Sequence, residues 1–405
     1  MRVMVLAGAI ALLAVQAQAA ARWIGSWGAS PAPPMAAAAS TPSDPRRLSP
    51  AFNDQTVVQV VRLSAGGARL RIRFTNEYGA KALSLGAARV ALVGPDGATI
   101  AGSDRPVTFA GAASASVPPG APMLSDPIAL PTKALARLRI SLYLPGETGP
   151  CTCHANGNEA PRVAAGDATA RDVPAGPPAD FRAFLSGVDV EATQPARVIV
   201  AFGDSITDGY RSTQGADRRW PDRLAERLAE RRAGRLVGVV NAGIGGNRVL
   251  SDGYVASMGQ SALTRFDRDV LSVPGVTDMI LLEGINDLGL AGRGGTAPTA
   301  EAMILGYRQL IARAHARGVR IIGATILPYE GAGYFTPGGE AVRQTLNAWI
   351  REPGTFDGVI DLDAALRDPG KPSKLRADLQ SGDWLHPNDA GYRTMGEAVD
   401  LALFR

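Results

Sequence analysis

Two kinds of hydrophobic patterning divide this chain, and together they predict an antiparallel β-sandwich-like region followed by an α/β unit, a three-layer α/β/α arrangement around a parallel sheet. Between about residues 56 and 145 the pattern alternates. In "ARLRIRFTN" Leu70, Ile72 and Phe74 fall on one face, with Arg69, Arg71 and Arg73 on the other; in "ARLRISLYL" Leu138, Ile140, Leu142 and Leu144 point one way. From about residue 196 short apolar runs, "RVIVAF", "RLVGVVN", "TDMILLEG" and "VRIIGATIL", alternate with longer segments of helical period. A length of 405 residues is more than one hydrophobic core commonly serves, which also favours two domains.

The elements follow in order. Residues 1–19, "MRVMVLAGAIALLAVQAQA", place Arg2 before an apolar run from Val3 to Val15 and small residues at Ala17 and Ala19. That layout predicts a signal peptide cleaved after Ala19, hence a secreted or periplasmic protein. The competing reading, an N-terminal anchor, needs ~18–20 apolar residues, and the run is shorter. Residues 20–190 are expected to form the β-rich accessory domain. The lead-in "PAPPMAAAASTPSDP" has low complexity, Gly/Pro turns such as "GPDG" and "VPPGAP" separate the strands, and the Ala/Gly/Pro/Asp-rich stretch 155–190 serves as a linker. Residues 191–405 are expected to form the α/β domain. Its first long helix, "DRRWPDRLAERLAERRAG", sets Leu224 and Leu228 four apart for burial while its arginines and glutamates face solvent, and "TAEAMILGYRQLIARAHARG" is the second long helix.

Composition narrows the function. Hydrophobic residues at 46% can fill a core. The formal charge of +4 comes from arginines scattered among acids, without a basic stripe interleaved with aromatics, so nucleic acid is not an expected partner. The two cysteines, Cys151 and Cys153, stand together in "CTCH". In an exported chain they are expected to close a small local disulfide; free thiols are the alternative, and a metal site with His154 lacks a second ligand cluster. Neither metal nor cofactor is expected.

Ligands of an open parallel sheet bind beyond the carboxyl ends of its strands, and four polar or glycine-rich signatures fall there. "GDS" follows the first strand, "NAGIGGN" the second, "EGIND" the third, and "DWLHPND" precedes the last helix. Ser205, in the first, needs a base to become a nucleophile. Of three histidines, His315 lies in a charged surface helix, and His154 belongs to the cysteine loop, where a structural or surface role is expected. His386 remains, three residues after Asp383, a spacing that lets one loop present an imidazole with the carboxylate that fixes its tautomer. Asp383 could instead cap the helix that starts near Pro387. An acyl-transfer site further needs donors for a developing oxyanion: the Ser205 amide, a glycine amide of "NAGIGGN" and the neutral side-chain amide of Asn286. The glycine run could equally cradle phosphate, but it lacks both the P-loop lysine and the dinucleotide spacing.

These four blocks in this order resemble those of the SGNH, or GDSL-type, hydrolase family over roughly residues 196–405. The resemblance implies a serine ester hydrolase with Ser205 as nucleophile, Asp383 and His386 completing a triad, and Gly246 and Asn286 joining the Ser205 amide in the oxyanion hole. The first block reads Gly-Asp-Ser-Ile without the family's nominal leucine, a conservative apolar change. The N-terminal region, through "RWIGSWGASP", "FTNEYG" and "LGAARVAL", more weakly resembles the β-rich domain that precedes the catalytic one in some secreted members. Trp23 and Trp27 there are expected in core or interdomain packing, with a sugar-stacking platform as the alternative. Removal of acetyl or other short acyl groups from saccharides is the expected activity. Lipid esters are the alternative substrates, and a carbohydrate-binding protein with a vestigial hydrolase domain is the alternative of another class.

Overall fold

The structure is a computed structural model that describes residues 22–35, 48–176, 179–231, 235–293 and 295–404. The predicted signal peptide and most of the low-complexity lead-in lie outside these residues. No helix among the described residues is long and apolar enough to cross a membrane.

Two antiparallel sheets form the N-terminal region. One runs β1 (Arg22–Gly28), β13 (Leu185–Ala192), β3 (Leu70–Thr75), β8 (Pro122–Leu124). The other runs β11 (Arg162–Ala165), β2 (Gln55–Arg62), β9 (Arg137–Leu144), β5 (Ala87–Val93), β6 (Arg105–Pro106). Short pairs, β4 (Leu83–Leu85) with β7 (Ala115–Val117) and β10 (Cys153–Ala155) with β12 (Phe181–Ala183), close the ends. Leu70, Ile72 and Phe74 are buried, as are Leu138, Ile140, Leu142 and Leu144, because period-two side chains on facing sheets share one core.

The stretch 155–190 is not a free linker. It supplies β11, β12 and β13, and β13 bridges β1 and β3 in the first sheet. Its Gly/Pro-rich composition concealed these strands; the valines on either side of Asp189, Val188 and Val190, are buried in β13 between two neighbouring strands.

The C-terminal part holds a five-stranded parallel sheet in the order β15 (Leu236–Gly243), β14 (Ala196–Gly203), β16 (Asp278–Leu282), β17 (Arg320–Ala324), β18 (Gly358–Ile360). Its strands read as near-continuous apolar runs, since helices cover the sheet. α2 (Trp220–Glu230) packs on α8 (Asp389–Ala398), and α8 on α7 (Leu362–Leu366). A second group joins α5 (Ala300–His315) with α3 (Ala262–Phe266) and α6 (Pro337–Arg351), and α6 with α4 (Ile285–Leu288). Leu224 and Leu228 are buried on α2. A small antiparallel pair, β19 (Arg367–Asp368) and β20 (Lys371–Leu375), lies near the end of the chain.

The two regions share one continuous apolar core. β1 lies against β15, with the Gly25 amide donating to the Pro274 carbonyl at 2.8 Å and the Val239 amide to Ser64 Oγ at 2.8 Å. A side chain at Gly238 would begin 2.2 Å from the Gly25 carbonyl, so glycine is what permits this backbone approach. Trp27 is buried in this shared core, and Arg71 covers the Trp23 ring at 4.6 Å. Trp27 therefore serves packing, while Trp23 is half-buried.

Candidate active site

The strand order reverses around β14, with β15 on one side and β16 on the other, so the loops after these strands meet at the switch point where an open sheet forms its crevice. β14 ends at Gly203, and after Asp204 the chain turns into α1 (Ser205–Asp208). Asp204 Oδ1 accepts the Ile206 amide at 2.9 Å and caps the helix, while Gly209 closes it in the left-handed region at φ 94°. A four-residue helix fastened at both ends holds Ser205 at its first position.

Ser205 Oγ lies 2.9 Å from His386 Nε2, and His386 Nδ1 lies 2.7 Å from Asp383 Oδ2. The second Asp383 oxygen accepts the amides of His386 at 2.9 Å and Leu385 at 3.0 Å and the Ser381 hydroxyl at 3.2 Å. Partial burial pushes the Asp383 carboxyl up, but the His386 ring N–H, the backbone amides and the His386 charge outweigh it and hold the group well below the usual carboxylate range. Asp383 does not cap the last helix. Asn388 does, accepting the Gly391 amide at 2.9 Å. The loop before α8 is thus free to present Asp383 and His386 together.

Asn286 meets the Gly246 loop at the Asn247 carbonyl. Gly246 has φ 77°, and a side chain there would meet Met258. Its amide and that of Ser205 find no acceptor among the described residues. Asn286 Nδ2 donates to the Asn247 carbonyl at 2.9 Å, which fixes the amide plane and leaves its second N–H available; its Oδ1 accepts the Tyr334 hydroxyl at 3.3 Å.

Beneath the site lie groups whose roles the sequence reading did not assign. Arg265, fully buried, donates to the carbonyls of Gly203 and Ala242 and to Asn247 Oδ1, each at 2.8 Å, and so ties together the ends of β14 and β15 and the Gly246 loop. Burial raises Asp204 to about 7 and Asp287 to about 6, the latter despite its acceptance of the Val249 and Leu250 amides. Burial and the neighbouring Asp204 charge push Glu283 far above the carboxylate range. Neither Glu283 oxygen has a hydrogen-bond partner among the described residues, and Arg265 stands 3.7 Å away.

His315 is on the surface as expected, 2.8 Å from Asp357. His154 is not. It is buried, with Nδ1 2.9 Å from the Ser30 carbonyl and Nε2 2.9 Å from Asp208 Oδ1. Burial pushes its pKa down, but the Asp208 charge and hydrogen bond, with the Ser30 carbonyl, overcome this and leave it raised. Asp208 ends the helix that Ser205 begins, so the N-terminal region grips that helix through this pair. Cys151 and Cys153 are joined in a disulfide immediately before His154. The sequence offered one signal for this contact, a histidine next to the cysteine pair; its partner, 54 residues away, carried none.

Residues 201–394 match the family described as GDSL-like Lipase/Acylhydrolase family. Among curated proteins none matches the chain. Solved structures similar to it include the acetyl xylan esterase AlAXEase, at 22% identity over 50% of this chain and 96% of that one, with a TM-score of 0.39. A carbohydrate acetylesterase family member from Sinorhizobium meliloti is 18% identical over 51% of this chain and 97% of its own, with a TM-score of 0.41. The lipase/acylhydrolase from Enterococcus faecalis is 21% identical over 50% and 92%, with a TM-score of 0.34.

Proposed function

We propose that this chain, whose residues 201–394 match the GDSL-like lipase/acylhydrolase family, is a carboxylic ester hydrolase that works through an acyl-enzyme on Ser205. The observation that carries this reading is the unbroken relay from Ser205 Oγ through His386 to Asp383, at 2.9 and 2.7 Å. His386 Nε2 takes the serine proton as Oγ bonds to the ester carbonyl carbon, and Asp383 stabilises the imidazolium. The carbonyl electrons move onto oxygen, which accepts the amides of Ser205 and Gly246 and the free N–H of Asn286. As the tetrahedral centre collapses, the C–O bond to the alcohol breaks and His386 returns the proton to the leaving oxygen. Water then repeats the sequence on the acyl-enzyme, giving up its proton to His386 and releasing the acid.

The substrate is read as a short acyl ester, acetyl foremost, on a saccharide met outside the cytoplasm. The leader-like N-terminus supports the location, and the tyrosines near the site, Tyr210 and Tyr334, support a ring-shaped alcohol. Tyr210 stands edge-on to His386 at 4.8 Å. The test is hydrolysis of aryl esters from acetyl to dodecanoyl by the wild type and Ser205→Ala, with a fluorophosphonate probe in parallel. Stoichiometric labelling of Ser205 and a rate optimum at acetyl are the expected results. A rate that climbs toward dodecanoyl would move the reading to lipid esters. Full activity in Ser205→Ala would overturn it.

A further inference from the structure

The described residues include five arginines that are nearly inaccessible, and four of them have found acceptors. Arg265 has three oxygens around the site and Asp269; Arg343 has Glu340, Asp363 and the Ile326 carbonyl; Arg182 has the carbonyls of Gly157 and Val60; Arg139 has Asp172. Arg248, only 6% exposed, is the exception. Among the described residues its guanidinium makes no hydrogen bond and no ion pair, and its Nε is enclosed without an acceptor. The Asp287 carboxylate senses its charge, but the oxygens of Asp287 are occupied by the Val249 and Leu250 amides. Of its nitrogens only Nε is enclosed in this way, and an enclosed N–H without an acceptor is costly.

Its surroundings do not relieve that cost. Arg248 lies over the Tyr254 ring at 4.5 Å, and the exposed Arg293 lies over the same ring at 5.3 Å. The ring attracts each cation, yet it leaves the enclosed Nε–H of Arg248 unmet and brings two like charges to one ring. The cluster adjoins the oxyanion side of the candidate site. Arg248 follows Gly246 by two residues; Arg293 also lies over Tyr334 at 5.2 Å, and the Tyr334 hydroxyl reaches Asn286. The contacts thus run from Asn286 through Tyr334, Arg293 and Tyr254 to Arg248, and by the chain back to Gly246.

We propose that Arg248 and Arg293, both in contact with the Tyr254 ring, form a subsite for an oxyanion group, a carboxylate or a phosphate, carried by the ester substrate beside its scissile bond. This deepens the reading of Ser205 as the nucleophile of an ester hydrolase and rests on it for the location of the scissile bond. Arg248 supplies a preorganised fork that loses little freedom on binding, and Arg293 closes from the solvent side. Tyr254, 45% exposed between them, offers a face to the body of the substrate.

Binding to the Ser205→Ala chain tests the subsite without turnover. Calorimetry would compare O-acetylated methyl glucuronoside with O-acetylated methyl glucoside, and acetylglycerol phosphate with acetylglycerol. At least one anionic ligand is expected to bind about tenfold more tightly than its neutral counterpart, and the pair that shows this identifies carboxylate or phosphate. The preference is expected to fall to about one in Arg248→Gln/Arg293→Gln and to weaken with salt. Should the double variant fail to fold, Arg293→Gln and the salt titration of the parent chain report the same preference. Equal binding within both pairs, or a preference that survives the substitutions, overturns the subsite. Absence of Ser205-dependent hydrolysis of 4-nitrophenyl acetate by the wild type would instead overturn the nucleophile reading while leaving the binding result intact.

Discussion

Replacing Asp383 by asparagine isolates the charge of the relay from its shape. Asp383 Oδ1 accepts two backbone amides, from His386 at 2.9 Å and Leu385 at 3.0 Å, so that position must remain an oxygen. The new NH2 is therefore forced into the place of Oδ2, 2.7 Å from His386 Nδ1. A donor there requires Nδ1 to accept, which puts the ring proton on Nε2, the atom that faces Ser205 Oγ at 2.9 Å. An imidazole in that tautomer has no lone pair for the serine proton, and the charge that would stabilise the imidazolium is gone. The expected fall in kcat is about four orders of magnitude, or about 5 kcal/mol of barrier. The assay is steady-state hydrolysis of 4-nitrophenyl acetate, with circular dichroism to confirm the fold. Because the Asp383 carboxyl is held below its unfolded value, it contributes stability above the ordinary carboxylate pKa that is lost as the pH falls through the folded value. Wild type and variant should accordingly converge in Tm on acidification. A fall in kcat of less than about tenfold in a folded variant would refute the assignment of Asp383 as the orienting carboxylate.

Asn286→Ala removes one of the proposed oxyanion donors, and kcat is expected to fall by about 10²–10³ with little change in KM, measured on the same ester. His154→Ala strands the buried Asp208 carboxylate and is expected to cost about 3–5 kcal/mol in chemical denaturation. Because the His154 pKa is raised in the folded state, its contribution is fully present below the unfolded value of about 6.5 and is lost as pH rises through the folded value, so the deficit should shrink on the alkaline side.

Much of the fold was legible because burial leaves a periodic trace. The alternation of Leu70, Ile72 and Phe74 marked a strand with one face on a core, and Leu224 with Leu228 marked a helix. β13 escaped notice because it is framed by turn-forming residues and owes its order to pairing with β1 and β3 on either side. The candidate triad was legible for a different reason. Ser205 is a reactive residue type at a strand end, and Asp383 and His386 stand three residues apart in one loop, in a chain with only three histidines.

What the sequence by itself determined, then, is local: the periods that specify strands and helices, the turn after β14 that carries Ser205, and the three-residue spacing that lets one loop hold Asp383 and His386. What only the tertiary structure decided is which charges meet across long separations. His154 finds Asp208 across 54 residues, and Arg265 finds the Gly203 carbonyl across 62. Arg248, by contrast, finds no partner among the described residues. Charge pairing has no period in the chain, since an ion pair depends on distance in space and on the exclusion of water, and both arise only when the two regions close on a common core.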